Sequence, residues 1–491
     1  MNVLKQLYRP TLAMLTDLYQ VTMAYGYWKH GIAERESVFH LFFRNNPFQG
    51  GYALACGLQT ATEYLEGFRF ESDDLAYLSS LKGADSKPLF DDGFVEYMGN
   101  LKFSCDIDAI PEGTVVYPHE PLVRVTGPIL QCQLIETPLL NIINFQTLVA
   151  TKAVRVCQAA AGDRVIEFGL RRAQGIDGSL AASRAAFVGG CSGTSNLLAG
   201  QLFEMPVIGT HAHSWVMTFP SEREAFDRYA NAMPNNCVFL VDTYDTLDGV
   251  RTAVEIAGTL RESGHEMLGI RLDSGDLAWL SIEARKILDD AGFPQAKIVA
   301  SNDLDERLIT SLKQQGAKID TWGVGTKLVT AFDQPALGGV YKLGAIRDEH
   351  GVWQYRIKLS EQTIKVSNPG ILQVRRFENE SEHRGDMIFD EESKLDFAGG
   401  ATMVDPGDSN RQKLFHSDSQ SSNLLVPVFR GGSNIYPQPT LETIRQRVRD
   451  QLQRTPSAVK RFENPHSYAV GLEQSLHELK TAMIQAARGQ S

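Results

Sequence analysis

No apolar run in this sequence approaches the ~20 residues that a membrane-spanning helix needs. Its start, Met-Asn-Val-Leu-Lys-Gln, lacks a basic head followed by an apolar core and a cleavage site, so no secretory leader is expected. Six cysteines, at positions 56, 105, 132, 157, 191 and 237, include no Cys-x-x-Cys pair. Most sit beside apolar or small residues and read as reduced core thiols. These absences predict a cytoplasmic protein. An excess of positive charge is missing too. The net charge of −11 argues against a nucleic-acid partner, although a few arginines can still build a positive pocket for a small anion. With 43% hydrophobic and 22% charged residues the composition is that of a folded globular chain. At 491 residues it should hold two or three domains.

Three textures follow one another. Up to residue 139 the pattern is mixed. Helical spacing over 11–28 places Tyr19 beside an apolar stripe, and a β-rich run covers Ser37 to Phe43. A helix is expected over Leu58 to Phe68, and short strands with turns run from Phe103 to Val125. From 140 to 347 strands alternate with helices, which means parallel strands joined by crossover helices. From 348 onward the chain turns β-like again. There the acidic stretch Glu378 to Glu392 reads as solvated surface, and amphipathic helices are expected at 441–452 and 472–487.

Polar residues in the middle region fall just after the strands. The run Met205 to Ile208 leads into Gly209-Thr210-His211-Ala212-His213-Ser214-Trp215, and Cys237 to Val241 leads into Asp242-Thr243-Tyr244-Asp245. Met267 to Ile270 leads into Arg271-Leu272-Asp273-Ser274-Gly275-Asp276, Lys297 to Ala300 into Ser301-Asn302-Asp303, and Ile319 to Trp322 into Gly323-Val324-Gly325-Thr326. At least six successive polar strand ends favour a (β/α) barrel, whose loops converge on one catalytic face, over an open sheet with a single switch point. Positive charge there comes from Arg171, Arg172, Arg271 and Lys327, and carboxylates from Asp242, Asp245, Asp273 and Asp276. That mixture suits a phosphate at one end of a substrate and a magnesium-bound leaving group at the other. A surface salt-bridge network is the plain alternative.

Two other classes compete. His211-x-His213 at a strand end resembles the zinc pair of barrel hydrolases, but zinc wants further histidines on later strand ends. The only histidine between His213 and His350 is His265, which precedes its strand. A non-catalytic binding protein gives no reason for so many ionisable groups at one end of the strands.

The motifs Thr16-Asp17-Leu18-Tyr19-Gln20, Glu167-Phe168-Gly169-Leu170-Arg171-Arg172-Ala173-Gln174-Gly175, Gly193-Thr194-Ser195-Asn196, Gly209-Thr210-x-Ala212-His213-Ser214, Arg271-Leu272-Asp273-Ser274-Gly275-Asp276-Leu277, Gly323-Val324-Gly325-Thr326 and Leu424-Leu425-Val426-Pro427-Val428 stand in this order. Together they resemble the nicotinate phosphoribosyltransferase family over nearly the whole chain, least from Glu378 to Ser422. The resemblance implies an α/β fold, an irregular (β/α) barrel with an α+β sandwich domain built from both ends of the chain. It implies attack of nicotinate on 5-phosphoribosyl-1-pyrophosphate, coupled to ATP hydrolysis, with Mg2+ near Asp273. A head-to-tail homodimer would bring Tyr19 of one subunit to the site of the other. Phe168 and Tyr19 would stack on the pyridine ring, and Arg171 and Arg271 would hold the anions. Gly323, Gly325 and Thr326 would take the 5-phosphate. Thr210 would bind substrate, and the Ser195 hydroxyl would suit a carboxylate where the nicotinamide enzymes carry an aspartate. His213 would be phosphorylated, with Asp242 fixing its ring.

Overall fold

The computed structural model describes residues 11–362 and 365–489. The N-terminal hexapeptide weighed above as a leader lies outside them. No helix among the described residues is long and apolar enough to cross a membrane. All six cysteines are free thiols and five are buried. The chain divides into two compact units. One contains the chain up to Thr147 together with the chain from Ala336 on, and the other is Leu148–Pro335.

The first unit interleaves both ends of the sequence. In its seven-stranded antiparallel sheet, Glu36–Phe42, Val123–Pro128 and Asp106–Ala109 lie between Val340–Arg347 on one side and Val426–Arg430 on the other. This is the α+β arrangement built from N- and C-terminal segments that the resemblance implies. A second, six-stranded sheet comes wholly from the C-terminal part, and it corrects one expectation. The acidic stretch taken for solvated surface contains the strand His383–Asp390, nearly all of it buried. Charge there is internal. Arg376, 2% exposed, lies opposite Asp386 in the ladder and donates to its carboxylate, to Gln451 Oε1 at 2.7 Å and to the Val115 carbonyl at 2.8 Å. Composition cannot separate a solvated acidic run from a strand whose carboxylate is neutralised across the ladder.

The second unit is the strand–helix alternation. Six parallel strands pair in the spatial order Gly193–Thr194, Arg164–Glu167, Thr321–Val324, Lys297–Ala300, Gly269–Leu272, Val238–Leu240. The expected strand over 205–208 is reduced to one parallel bridge, Val207 to Thr194. Among the described residues, backbone pairing therefore makes a sheet and does not complete a ring. A side chain links its two edges: His211, just beyond the bridge, accepts from the Leu240 N–H at 3.2 Å through Nε2.

Strand ends shift by two residues from their expected places. Gly269–Leu272 includes Arg271, and Thr321–Val324 includes Gly323. Several strand-end aspartates expected to hold charge for a substrate serve the following helices. Asp245 and Asp276 accept from the backbone N–H of Asp248 and Trp279 and so cap the helices Thr246–Glu262 and Leu277–Asp290. Such a cap contributes about 1 kcal/mol each. Asp242 and Asp273 are left for the site.

Candidate active site

Arg271 is the centre of the polar face. Its Nε donates to Ser301 Oγ at 2.8 Å, Nη1 to Thr210 Oγ1 at 3.0 Å and Nη2 to Asp273 Oδ1 at 3.0 Å. Three strand ends thus hold one guanidinium in a single plane. Of the five N–H groups of an arginine these bonds engage three, leaving two for a ligand. Burial alone would raise the Asp273 carboxyl, but the Ser301 hydroxyl and the Arg271 charge hold it below its ordinary value.

The Arg271 guanidinium lies 5.8 Å from the centre of the Phe168 ring, within cation–π range. That ring rests on the neighbouring strand only because position 323 is glycine. A Cβ there would fall 2.6 Å from the Phe168 ring, and one at Gly325 would come 3.1 Å from the Phe168 carbonyl. Between these groups opens a cavity of about 240 Å³, lined by Phe168, Arg171, Arg271, Asp273, Gly323, Gly325 and Thr326 together with Arg172, Ser301, Asn302 and Asp303. Arg171 and Arg172 stand exposed on the 3-10 turn Leu170–Arg172, with no carboxylate paired to either among the described residues. Lys327, counted above among the positive charges of this face, is paired with Asp305 at 2.6 Å.

His213 opens the short helix His213–Met217. Its Nδ1 lies 3.1 Å from Thr243 Oγ1 and its Nε2 3.8 Å from Asp273 Oδ2. The expected contact with Asp242 is absent, and Thr243, the next residue, takes its place. Asp242 is turned toward the following strand end, where its Oδ2 accepts from the Asp273 N–H at 2.9 Å and from Ser274 Oγ at 2.6 Å. Its Oδ1 is buried and has no hydrogen-bond partner. A bare carboxylate oxygen beside a second carboxylate fits a hard cation that completes its shell with water and phosphate oxygens. Among the described residues no group of three His, Cys, Asp or Glu side chains could hold a metal by itself.

Comparisons with known proteins address the whole of this arrangement. A model of the nicotinate phosphoribosyltransferase N-terminal domain matches residues 14–144, the family's own model 164–351 and that of its C-terminal domain 373–480. A nicotinate phosphoribosyltransferase of Bacillus subtilis is 45% identical over 485 residues, 96% of each chain. One from Dictyostelium discoideum is 36% identical, covering 95% of this chain and 87% of its own. The chain belongs to the nicotinate phosphoribosyltransferase family. The crystal structure of human nicotinic acid phosphoribosyltransferase superposes with a TM-score of 0.84 at 33% identity, covering 95% of this chain and 99% of the human one.

Of the residues carried by the resemblance to the nicotinate phosphoribosyltransferase family, the structure gathers most in the second unit. Thr210 sits on Arg271. Ser195 follows the edge strand, half-buried and outside the lining, with its N–H donated to the Glu167 carbonyl at 2.9 Å. Tyr19 lies in the first unit, on the helix Leu18–Lys29, and is 48% exposed.

Two residues had no role in the sequence reading. Glu167, fully buried, accepts from the Gly169 N–H, from Ser183 Oγ at 2.8 Å and from Thr194 Oγ1 at 2.5 Å, tying the Phe168–Arg172 turn to the Gly193–Asn196 loop. An acidic residue closing a buried strand, immediately before an aromatic and a glycine, was the available signal. Glu222 has a buried, unpartnered Oε1. Burial and the charges of Asp242, Asp245 and Asp248 push its carboxyl up to about 7. Nothing in its helical context marks it.

His211, weighed above as half of a zinc-like pair, is packed into the interior. It is 7% exposed and lies edge-on to Tyr229 with ring centres 4.7 Å apart. Because Nε2 accepts, the proton resides on Nδ1, which faces the Ala212 carbonyl at 3.4 Å. Burial pulls its pKa down to about 4 from the ordinary 6.5. The stability this confers is fully present above about pH 6.5 and is lost as the pH falls through about 4, because the unfolded chain takes the proton first. The loss should approach about 3 kcal/mol. Urea denaturation at pH 7, 5.5 and 4.5 should show this slope in the unmodified protein and a flatter one in His211→Gln, whose side-chain oxygen can accept the same N–H. Identical slopes in both proteins would refute the assignment.

Proposed function

We propose that this chain joins nicotinate to 5-phosphoribosyl-1-pyrophosphate, giving nicotinate mononucleotide and pyrophosphate with hydrolysis of ATP. It would act in the cytoplasm as the first step of NAD synthesis from nicotinate. The observation that carries this reading is Arg271, tethered on three sides with two N–H groups left over beside an aromatic ring and two unpaired arginines.

The pyridine ring packs on Phe168, and its carboxylate is anchored by Arg271 with hydroxyl support from Ser195. The 5-phosphate lies against Gly323, Gly325 and Thr326, where no side chain of 323 or 325 obstructs the backbone. The ring nitrogen attacks C1 as the bond to pyrophosphate breaks, through a transition state with positive charge on the sugar. Arg171 and Arg172 meet the phosphate charge. Asp242, through its free oxygen, and Asp273 would hold Mg2+, which when bound supplies neutralising charge for pyrophosphate. The chain's own work is positioning and charge complementarity.

His213 takes the γ-phosphoryl group. With Nδ1 on Thr243, Nε2 attacks phosphorus, ADP departs, and water later cleaves the N–P bond to release phosphate. The added negative charge beside Asp273 links ATP use to the pyrophosphate site without entering the bond-making path.

A homodimer with shared sites completes the reading, with Tyr19 of one copy stacking in the site of the other. In support, Tyr19 is half exposed, and the helix Leu197–Phe203 presents Leu197, Leu198 and Leu202 to solvent, apolar surface that a second copy can cover.

One assay tests the chemistry: mononucleotide formation from nicotinate or nicotinamide, with and without ATP. The unmodified protein should prefer nicotinate by on the order of a thousandfold. His213→Ala should lose ATP hydrolysis and phosphoprotein formation while keeping slow, ATP-independent synthesis. Label from γ-labelled ATP on the His213→Ala protein, or equal use of acid and amide, would contradict it. For the dimer, mixing inactive Tyr19→Ala and Arg271→Ala proteins should restore activity through hybrid sites. Full activity of a protein shown to be monomeric would exclude sharing.

A further inference from the structure

A second cavity, about 700 Å³, lies within the first unit and shares no lining residue with the cavity at Arg271. Its size is that of pockets that take whole cofactors. One wall is a face of the helix Gln474–Ala487, which brings His477 and Lys480 to the cavity with Arg488 just beyond its end. The spacing of three and then eight residues keeps all three on one side of the helix. The lining also contains Tyr117 and Tyr468, stacked with ring centres 4.0 Å apart and planes 12° from parallel.

The charge on this lining is unbalanced. Lys480 Nζ donates to Asn368 Oδ1 at 2.8 Å, and among the described residues no carboxylate pairs with Lys480 or Arg488. The one carboxylate of the lining, Asp405, is occupied by the Gly407 N–H at 2.8 Å and faces Arg411 at 3.8 Å. Burial pushes the Lys480 ammonium down to about 8. His119, also on the lining, is pulled down to about 4 by burial and by the charges of Lys480 and Arg44. The Nδ1 of His477 is buried without a partner. An anion placed among these groups would meet donors and positive charge that the protein itself leaves unanswered, and a lysine is well suited to phosphate as a point charge.

We propose that this cavity binds a phosphorylated, ring-bearing metabolite the size of a nucleotide, its phosphate on Lys480 and Arg488 and its ring against the Tyr117–Tyr468 pair. This is a binding site separate from the transferase chemistry. Its occupation tightens the packing of the terminal helix on the sheet of Ala401–Asp405 and Val470–Glu473, the elements that border the cavity.

The test uses the full-length protein, with AMP, adenosine and inorganic phosphate as probes in equilibrium dialysis. AMP should bind saturably, adenosine should not, and phosphate should bind more weakly than AMP. Lys480→Gln and Arg488→Gln should each weaken AMP binding at least about tenfold, while Arg271→Ala retains it. Lys480→Gln should keep its transferase turnover within about twofold, which also reports that it has folded. If Lys480→Gln does not fold, acetylation of Lys480 in the unmodified protein gives the answer: AMP should slow it and adenosine should not. AMP binding that is absent at millimolar concentration, unchanged in Lys480→Gln or abolished by Arg271→Ala would overturn the proposal, as would acetylation indifferent to AMP. The binding and acetylation readouts do not depend on which reaction the other cavity performs.

Discussion

The polar face of this protein depends on one guanidinium. Arg271 is bound to Thr210, Ser301 and Asp273, three groups on three different strand ends, so that its plane is set by the sheet and not by a ligand. The same bonds carry outward. The Asp273 N–H donates to Asp242 and the Asp273 carboxylate stands beside His213, so the histidine, the two carboxylates and the arginine form one connected network. In such a network a fixed fork costs little further ordering when a carboxylate or phosphate arrives. A flexible lysine would have to be immobilised anew each time.

Packing supplies the second requirement. Phe168 can lie beside Arg271 because residue 323 has no side chain, and Glu167 pins the turn that presents Phe168 to the loop containing Thr194. A buried carboxylate with three donors is stable only while all three remain, which makes the turn rigid and the ring position unique. The shape of the cavity therefore rests on residues outside its lining: Glu167, Ser183 and Thr194 behind the ring, and His211 joining the two edges of the sheet.

Much of the fold was legible in the sequence because its periodicities are strong. The alternation from 140 to 347 marked parallel strands, whereas the interleaving of the two chain ends was implied only by the family resemblance. What could not be read depends on partners distant in sequence. Glu378 to Glu392 looked solvated because Asp386 is neutralised by Arg376 across a ladder. Asp245 and Asp276 looked like ligands because a helix cap and a substrate-binding carboxylate are the same residue type at the same strand end. Arg271 was expected after its strand and lies within it, a two-residue error that periodicity alone cannot resolve. Among the site residues, Phe168, Arg171, Arg271, Asp273 and the glycines fell into one cavity. The partner of the His213 ring was read as Asp242, and the structure puts Thr243 there, one residue on. Glu222 acquires its raised pKa from burial and from the aspartates folded against it.

The most direct measurement on the role of the fork is kcat/KM for nicotinate in Arg271→Lys, which keeps the positive charge and removes the planar donors. A loss of at least about a hundredfold, with folding intact by denaturation midpoint, is the predicted result. Activity within about threefold of the unmodified protein would mean that charge alone suffices, and that the three-point tether of Arg271 is not what organises the site.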